Sequence, residues 1–457
     1  MSSGDRRGLD RRHFLKHLAA MSALAGSANL FVQGLRAAAP ELKKQGKSLV
    51  ILWMGGGPSH MDLWDLKPGQ PTGGDFKPIK TAVEGIEISE VLPTVAGQFK
   101  NLSIIRSLQS NEGSHERGTT LMNTGRLPNP VVQYPHVGAV AGSLLAAKEL
   151  ALPAFIGVGG TAQRIGPGFL GMTNAPFTVQ NPGQPPQNIK APDALGRDRE
   201  LEDRVNRRRR LFYAIEERFN QSQFPQVPVK MGEGEEEKRL EEYRNLNSAG
   251  QAHQDVYKKA FDLTISPLRN IFEVTKGESK KVIDEYGGDR NQFGMGCLLA
   301  RRLVEKGVSC VEVDLGGWDN HGNIFPTIRN GNGPRLDKGM GTLVKELVER
   351  GLWKNTVLVW MGEFGRTPRI NQGAGRDHWG RCWSVVVGGG SIKGGQVYGA
   401  TNEDGTDILD PDKYKVKVGD LFATLFKGLG LDPSTRIRDN LGRPGPLADG
   451  EPIKDLV

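Results

Sequence analysis

Six short aliphatic and β-branched runs recur along the chain, separated by longer amphipathic or glycine-rich segments, and this alternation most constrains the fold. The runs are SLVILWM (48–54), LSIIRSL (102–108), AFIGVG (154–159), VSCVEVDL (308–315), NTVLVWM (355–361) and SVVVGG (384–389). Alternation of this kind predicts βα units around a mostly parallel sheet, an α/β architecture. The best-defined helix is expected in PRLDKGMGTLVKELVERGL, with Pro334 in its first turn and Leu336, Met340, Leu343, Val344, Leu347 and Val348 on one stripe.

The 457 residues suffice for one large α/β domain or two smaller ones. Charged residues at 25% and apolar residues at 37% describe a globular chain. No uninterrupted apolar run reaches the roughly 18 residues of a spanning helix. Between about 195 and 280, RELEDRVNRRRRLFYAIEERF and EGEEEKRLEEYRNL carry both charges densely at helical spacing, which predicts an inserted, largely helical segment with solvated faces. The glycine-, proline- and glutamine-rich text from about 172 to 194 predicts an irregular loop. Cys297, Cys310 and Cys382 show no metal-type spacing and are expected as buried thiols.

The first forty residues have a different character. Paired arginines precede Phe-Leu-Lys, a modestly apolar stretch and an alanine-rich end, the order of a twin-arginine export signal. Its key residues are Arg11, Arg12, Phe14, Leu15 and Lys16, with a cut expected near Ala39. Removing residues 1–39 takes away six Lys/Arg and two Asp/Glu and lowers the formal charge from +8 to +4, so nucleic acid is not an expected partner. The expected destination is the periplasm or the exterior, reached through the twin-arginine machinery, with no membrane span in the mature chain.

In parallel α/β sheets, ligands sit beyond the carboxyl ends of strands. Four of the predicted strands run into loops of one kind. GGGPSHMDLWD carries Ser59, His60, Asp62 and Asp65; QSNEGSHERGTT carries Ser114, His115, Glu116 and Arg117; GGWDNHG carries Asp319 and His321; GEFGRTPRINQGAGRDHWGR carries Glu363, Arg366, Arg376, Asp377 and His378. Of the six histidines beyond the leader, four lie in these loops within two residues of a carboxylate. Mixed imidazole and carboxylate donors suit a divalent transition ion such as zinc or manganese, one or two per chain, and such an ion polarises an ester oxygen and acidifies a water or hydroxyl nucleophile. The metal ligands expected are Asp319, His321, Asp377 and His378, then Glu363, Asp62 and His60. Arg117, Arg366 and Arg376 are expected to form an anion pocket, with bracing of the loop as the competing role for Arg366 and Arg376. His136 and His253 read as structural.

Taken together, the twin-arginine leader, GGGPSHMDLWD, GSHERGTTLMNTGR, GGWDNHG, GEFGRTP, GRDHW and GGGSIKGGQVYG resemble the exported family called domain of unknown function 1501, over nearly the whole mature chain. The resemblance implies the alkaline phosphatase and sulfatase superfamily. That in turn implies a sulfatase-like α/β/α sandwich as a single domain over 40–457, commonly two metal ions, and a nucleophile at a helix start. The implied substrate is a phosphorylated or sulfated small molecule or polysaccharide. Three departures stand out. Gly55 and Gly56 replace the usual aspartate after the first strand, leaving Asp62 or Asp65 to substitute; Phe364 stands where a histidine is usual; and counting back from Thr124-Gly125-Arg126 puts the nucleophile position on His115, with Ser114 adjacent and Thr119 a turn later. His115 is therefore open to three roles: ligand, general base or nucleophile. An exported metal-dependent hydrolase is expected. The alternatives are a degenerate sulfatase-like binder of anionic envelope polymers and, more remotely, a phosphoglycerate-mutase-like transferase. The last loop poses a sharp question: whether Asp377 and His378 fold back to replace the ligand lost at Phe364.

Overall fold

The computed structural model describes residues 46–147, 150, 152–184, 186, 199–223, 263, 266–439 and 441–457. The leader, His253 and the segment EGEEEKRLEEYRNL lie outside the described residues.

All six apolar runs form strands: β1 (Ser48–Trp53), β2 (Leu102–Gln109), β3 (Phe155–Val158), then, past an unforeseen β4 (Phe177–Val179), β5 (Cys310–Asp314), β6 (Thr356–Met361) and β7 (Trp383–Gly389). Two further short strands, β8 (Gln396–Tyr398) and β9 (Val416–Lys417), complete a nine-stranded sheet. Its order is β8-β2-β7-β6-β1-β5-β3-β4, with β9 also on β2. Only β7 runs antiparallel to its neighbours, so the sheet is mostly parallel.

Both faces of the sheet are covered. Successive strand residues point to opposite faces, so Val50 and Leu52 of β1 join one core while Leu49, Ile51 and Trp53 join the other. The first core takes in α3 (Gln292–Glu305) and α4 (Gly333–Glu349), and the second takes in α1 (His115–Thr124), α2 (Val137–Leu145) and α5 (Val418–Gly428). With water excluded from both faces, the strand sequences are mostly apolar with no strict alternation, although Arg106 in β2 and Glu312 in β5 interrupt the runs.

Helix α4 buries Leu336, Met340, Leu343, Val344 and Leu347, but Val348 is exposed, at the edge of the expected stripe. The charged stretch after 195 begins as a helix over Arg199–Gln223, in which Arg207, Arg208 and Arg210 are exposed. The stretch expected to be an irregular loop holds β4, whose Phe177-Thr178-Val179 pairs with Ile156-Gly157-Val158. All three cysteines are free and buried. Among the described residues no helix is long and apolar enough to cross a membrane.

Register places the loops. Trp53 pairs with both Asp314 and Met361, so β1, β5 and β6 end at one level. Leu108, near the end of β2, pairs with Trp383 at the start of β7, which brings the loop after β2 to the same edge. The four loops rich in histidine and carboxylate therefore leave the sheet together.

Asp314 closes β5 by accepting the Gly160 and Thr161 N–H groups at 2.9 Å each. Burial, then the neighbouring Glu312, pushes its carboxyl up to about 7 from 3.8. Between these values the folded chain keeps a proton that the unfolded chain releases, so stability falls as pH rises through this window. Asp314→Asn keeps the acceptor and is expected to remove the fall, which is at most about 1.4 kcal/mol per pH unit, in urea titrations across the window.

Candidate metal centre

The loop after β1 passes close against the loop after β5, and this approach explains Gly56, one of the two glycines that stand where an aspartate was expected. A Cβ on Gly56, at φ +113°, would lie 2.5 Å from the Asp319 backbone nitrogen. The Gly56 N–H donates to Glu363 Oε1 at 2.8 Å, which ties the loop after β1 to the loop after β6.

His115 opens α1, with Ser114 as N-cap. Its Nδ1 is 2.7 Å from Glu363 Oε1, and its Nε2 is 3.3 Å from Asp319 Oδ2. His321 follows the same plan, with Nδ1 2.7 Å from Asp377 Oδ1 and Nε2 3.0 Å from Asp319 Oδ1. His378 repeats it a third time, with Nδ1 2.7 Å from the Gly113 carbonyl and Nε2 3.2 Å from Asp319 Oδ1. The chain does fold back at its last loop. His378-Trp379 pairs antiparallel with Gly365-Arg366, placing His378 opposite Arg366. Phe364 has become a wall, its ring centroid 4.5 Å from that of His378 and 5.0 Å from that of His115.

The outer partners fix the tautomers. A carbonyl or a carboxylate accepts, so each Nδ1 carries a proton and each ring, in its neutral form, turns a bare Nε2 inward. Those nitrogens meet carboxylate oxygens and one another: the His321 and His378 Nε2 atoms are 3.1 Å apart. His115 Nε2 and Glu363 Oε2 are buried without a hydrogen-bond partner. Acceptors gathered in this way, with Arg366 as the donor to Asp319 Oδ1, suit a bound cation. His115, Asp319 and His378 present ligand atoms within 4.8 Å of one another, with His321 beside them. Nitrogen and carboxylate donors, with each imidazole braced from behind, fit a divalent transition ion.

These contacts also set the electrostatics of the cluster. The Glu363 hydrogen bond raises the His115 pKa, against a smaller opposing effect of burial. Burial favours the neutral form of Asp319, but the Arg366 hydrogen bond and the adjoining His378 outweigh it and hold the carboxyl well below its usual range. The His321 hydrogen bond lowers Asp377. The side chains of His115, Asp319 and His321 remain 37%, 46% and 47% exposed, so a solute can reach them.

Several expected members stand elsewhere. Asp62 is fully buried and gives its carboxylate to Arg376, at 2.8 and 3.1 Å, and to the Ser59 hydroxyl at 2.5 Å, so it serves as the partner of a buried guanidinium. His60 is buried at the base of the Gly365 turn, and burial, only partly offset by Asp65, pulls its pKa down to about 4. Asp65 bonds Thr401 at 2.5 Å and Lys67 at 3.1 Å. Arg117 is turned onto Glu112 at 2.8 and 3.0 Å. Thr119 is buried, Ser114 is exposed, and neither makes a hydrogen bond to the cluster through its hydroxyl. Asp337 caps the Pro93–Ala96 turn through the Thr94 and Val95 N–H groups, at 2.7 and 3.0 Å. His136 is structural, 2.8 Å from Glu312 and accepting the Gly138 N–H at 2.9 Å.

Arg366 has a role different from gripping a ligand. Fully buried, it donates to Asp319 Oδ1 at 2.5 Å, to the Gly57 carbonyl at 2.8 Å, to the Arg376 carbonyl at 3.0 Å and to the Gly56 carbonyl. It braces through Asp319, and Arg376 likewise braces through Asp62. Asn371 was not foreseen: its amide donates to the His321 carbonyl at 3.0 Å, and its oxygen accepts the Gly373 and Gly375 N–H groups at 3.0 Å each. The only sequence signal was an asparagine set among glycines, a turn composition.

A comparison with curated proteins gives no match. The model of the family described as "Protein of unknown function (DUF1501)" matches residues 46–457, which takes in every loop of the cluster, and the chain belongs to that family.

Proposed function

We propose that this chain is an exported metal-dependent hydrolase of phosphate or sulfate esters, built on an alkaline phosphatase and sulfatase type of sandwich as a single domain over 40–457, with a charged helical insertion at about 195–280. The observation that carries the reading is the convergence of three bare Nε2 atoms on Asp319, each ring braced through its Nδ1. His115, Asp319, His321 and His378 would hold zinc or manganese. When bound, such an ion supplies Lewis-acid polarisation of the ester oxygen.

The chain's own residues set up the rest. Arg366 keeps Asp319 ionised and fixed, Glu363 and Asp377 hold their imidazoles in one tautomer, and Phe364 gives the rings an apolar backing. No described side-chain hydroxyl makes a hydrogen bond to the ligand atoms of His115, Asp319, His321 or His378, and water is taken as the attacking group. Its oxygen bonds to phosphorus or sulfur, the ester bond to the alcohol oxygen breaks, and the alcohol leaves with a proton. This assigns His115 to holding the ion rather than to attack. A binder of anionic polymers gets less support, because Arg366 and Arg376 are buried in internal pairs.

His321→Ala and His378→Ala are expected to lower metal affinity by more than the roughly 10–100-fold typical of lost outer partners, and to abolish ester hydrolysis, with the far-UV spectrum unchanged. Metal-loaded protein that turned over no phosphomonoester, phosphodiester or sulfate ester would overturn the proposal.

A further inference from the structure

We infer that the site is matched to esters carrying a single negative charge, sulfate monoesters or phosphate diesters, and discriminates against the phosphomonoester dianion. The inference rests on the metal-site reading above and deepens it with a charge inventory of the loops.

The groups at the cluster are three carboxylates, Asp319, Glu363 and Asp377, and one guanidinium, Arg366. They leave two negative charges, since imidazoles that hold a metal are neutral. One divalent ion cancels them. The donors provide for one ion: among the described residues a single group of His, Cys, Asp and Glu side chains converges closely enough to hold a metal. The carboxylates from which a second site would have to be made are committed to cations of their own, Asp62 to Arg376, Asp65 to Lys67 and Glu112 to Arg117.

The arginines expected to add positive charge add none that is free. Arg376 is cancelled by Asp62 and Arg117 by Glu112, while Arg366 spends four donor contacts on Asp319 and three carbonyls. Arg369 and Arg381 are exposed on the same stretch, but Arg381 faces Asp407, and neither touches the cluster. Glu116 adds an exposed negative charge in the first turn of α1. A loaded site is therefore close to neutral. An incoming monoanion therefore leaves the loaded site with one net negative charge and a dianion leaves it with two, and the second charge adds desolvation and repulsion with no counter-charge.

The test is calorimetric binding to the metal-loaded full-length mature chain at about pH 8.5, above the second phosphonate ionisation, with three probes of one shape. Benzenesulfonate and methyl phenylphosphonate carry one charge; phenylphosphonate carries two. The tighter of the two monoanions is expected to bind at least about tenfold more strongly than the dianion, or about 1.4 kcal/mol, and which of them it is separates sulfate-type from diester-type substrates. Asp377→Asn, which removes one negative charge at nearly constant shape, is expected to move the ratio toward the dianion. A dianion that binds as well or better, or a ratio that Asp377→Asn leaves unchanged, would overturn the inference and leave the hydrolase reading standing. Failure of all three probes to bind metal-loaded protein would remove that reading, and the inference with it.

Discussion

Asp319→Ala is expected to strip the divalent ion from the protein. Both carboxylate oxygens are in use, Oδ2 facing His115 and Oδ1 facing His321, His378 and Arg366, so the substitution removes the group on which three imidazoles converge. The loss in affinity should exceed the roughly 10–100-fold seen when only an outer partner goes. The fold should survive, because Arg366 keeps its bonds to the carbonyls of Gly56, Gly57 and Arg376, and Asp319 itself is half exposed. Equilibrium dialysis with zinc or manganese, alongside thermal unfolding, separates the two effects. Unchanged affinity would show that the imidazoles converge for another reason.

Asp62→Ala is expected to do the opposite, costing stability while leaving the ligands in place. The Arg376 guanidinium is fully buried, and its charge is balanced by the Asp62 carboxylate alone; its other partners are the carbonyls of Thr72, Thr367 and Pro368. Breaking a buried pair by removing one partner costs about 3–5 kcal/mol, because the remaining charge stays desolvated. Urea unfolding should show this loss. The double variant Asp62→Leu/Arg376→Met should recover much of it, since apolar replacement of a buried pair is often near neutral. Asp62 acting as a ligand would instead appear as lost metal with little change in unfolding.

These two residues show where the sequence could be read and where it could not. Strands β1, β2, β3, β5, β6 and β7 were legible because burial on both faces makes each a predominantly aliphatic and β-branched run, even where Arg106 or Glu312 interrupts it. The short strands β4, β8 and β9 were not, since two or three residues carry no period and are fixed by their neighbours. The candidate ligands were visible as residue types at strand ends. Which carboxylate serves which cation was not visible, because Asp62 and Arg376 are 314 positions apart, and a pairing of that kind depends on the fold alone. Arg366 and Arg376 resemble an anion pocket in one dimension, but their surroundings turn them into internal braces. Phe364 read as a lost histidine; the short ribbon that returns His378 beside Arg366 supplies an imidazole from further along the chain and leaves the phenyl ring as its backing.

Elemental analysis of the mature protein, exported in folded form without a chelating tag, tests the account most directly. It is expected to find about one equivalent of zinc or manganese per chain in the parent and almost none in Asp319→Ala, since the cluster supplies one set of ligands. A metal-free parent, or an Asp319→Ala variant that kept the full complement, would contradict the account.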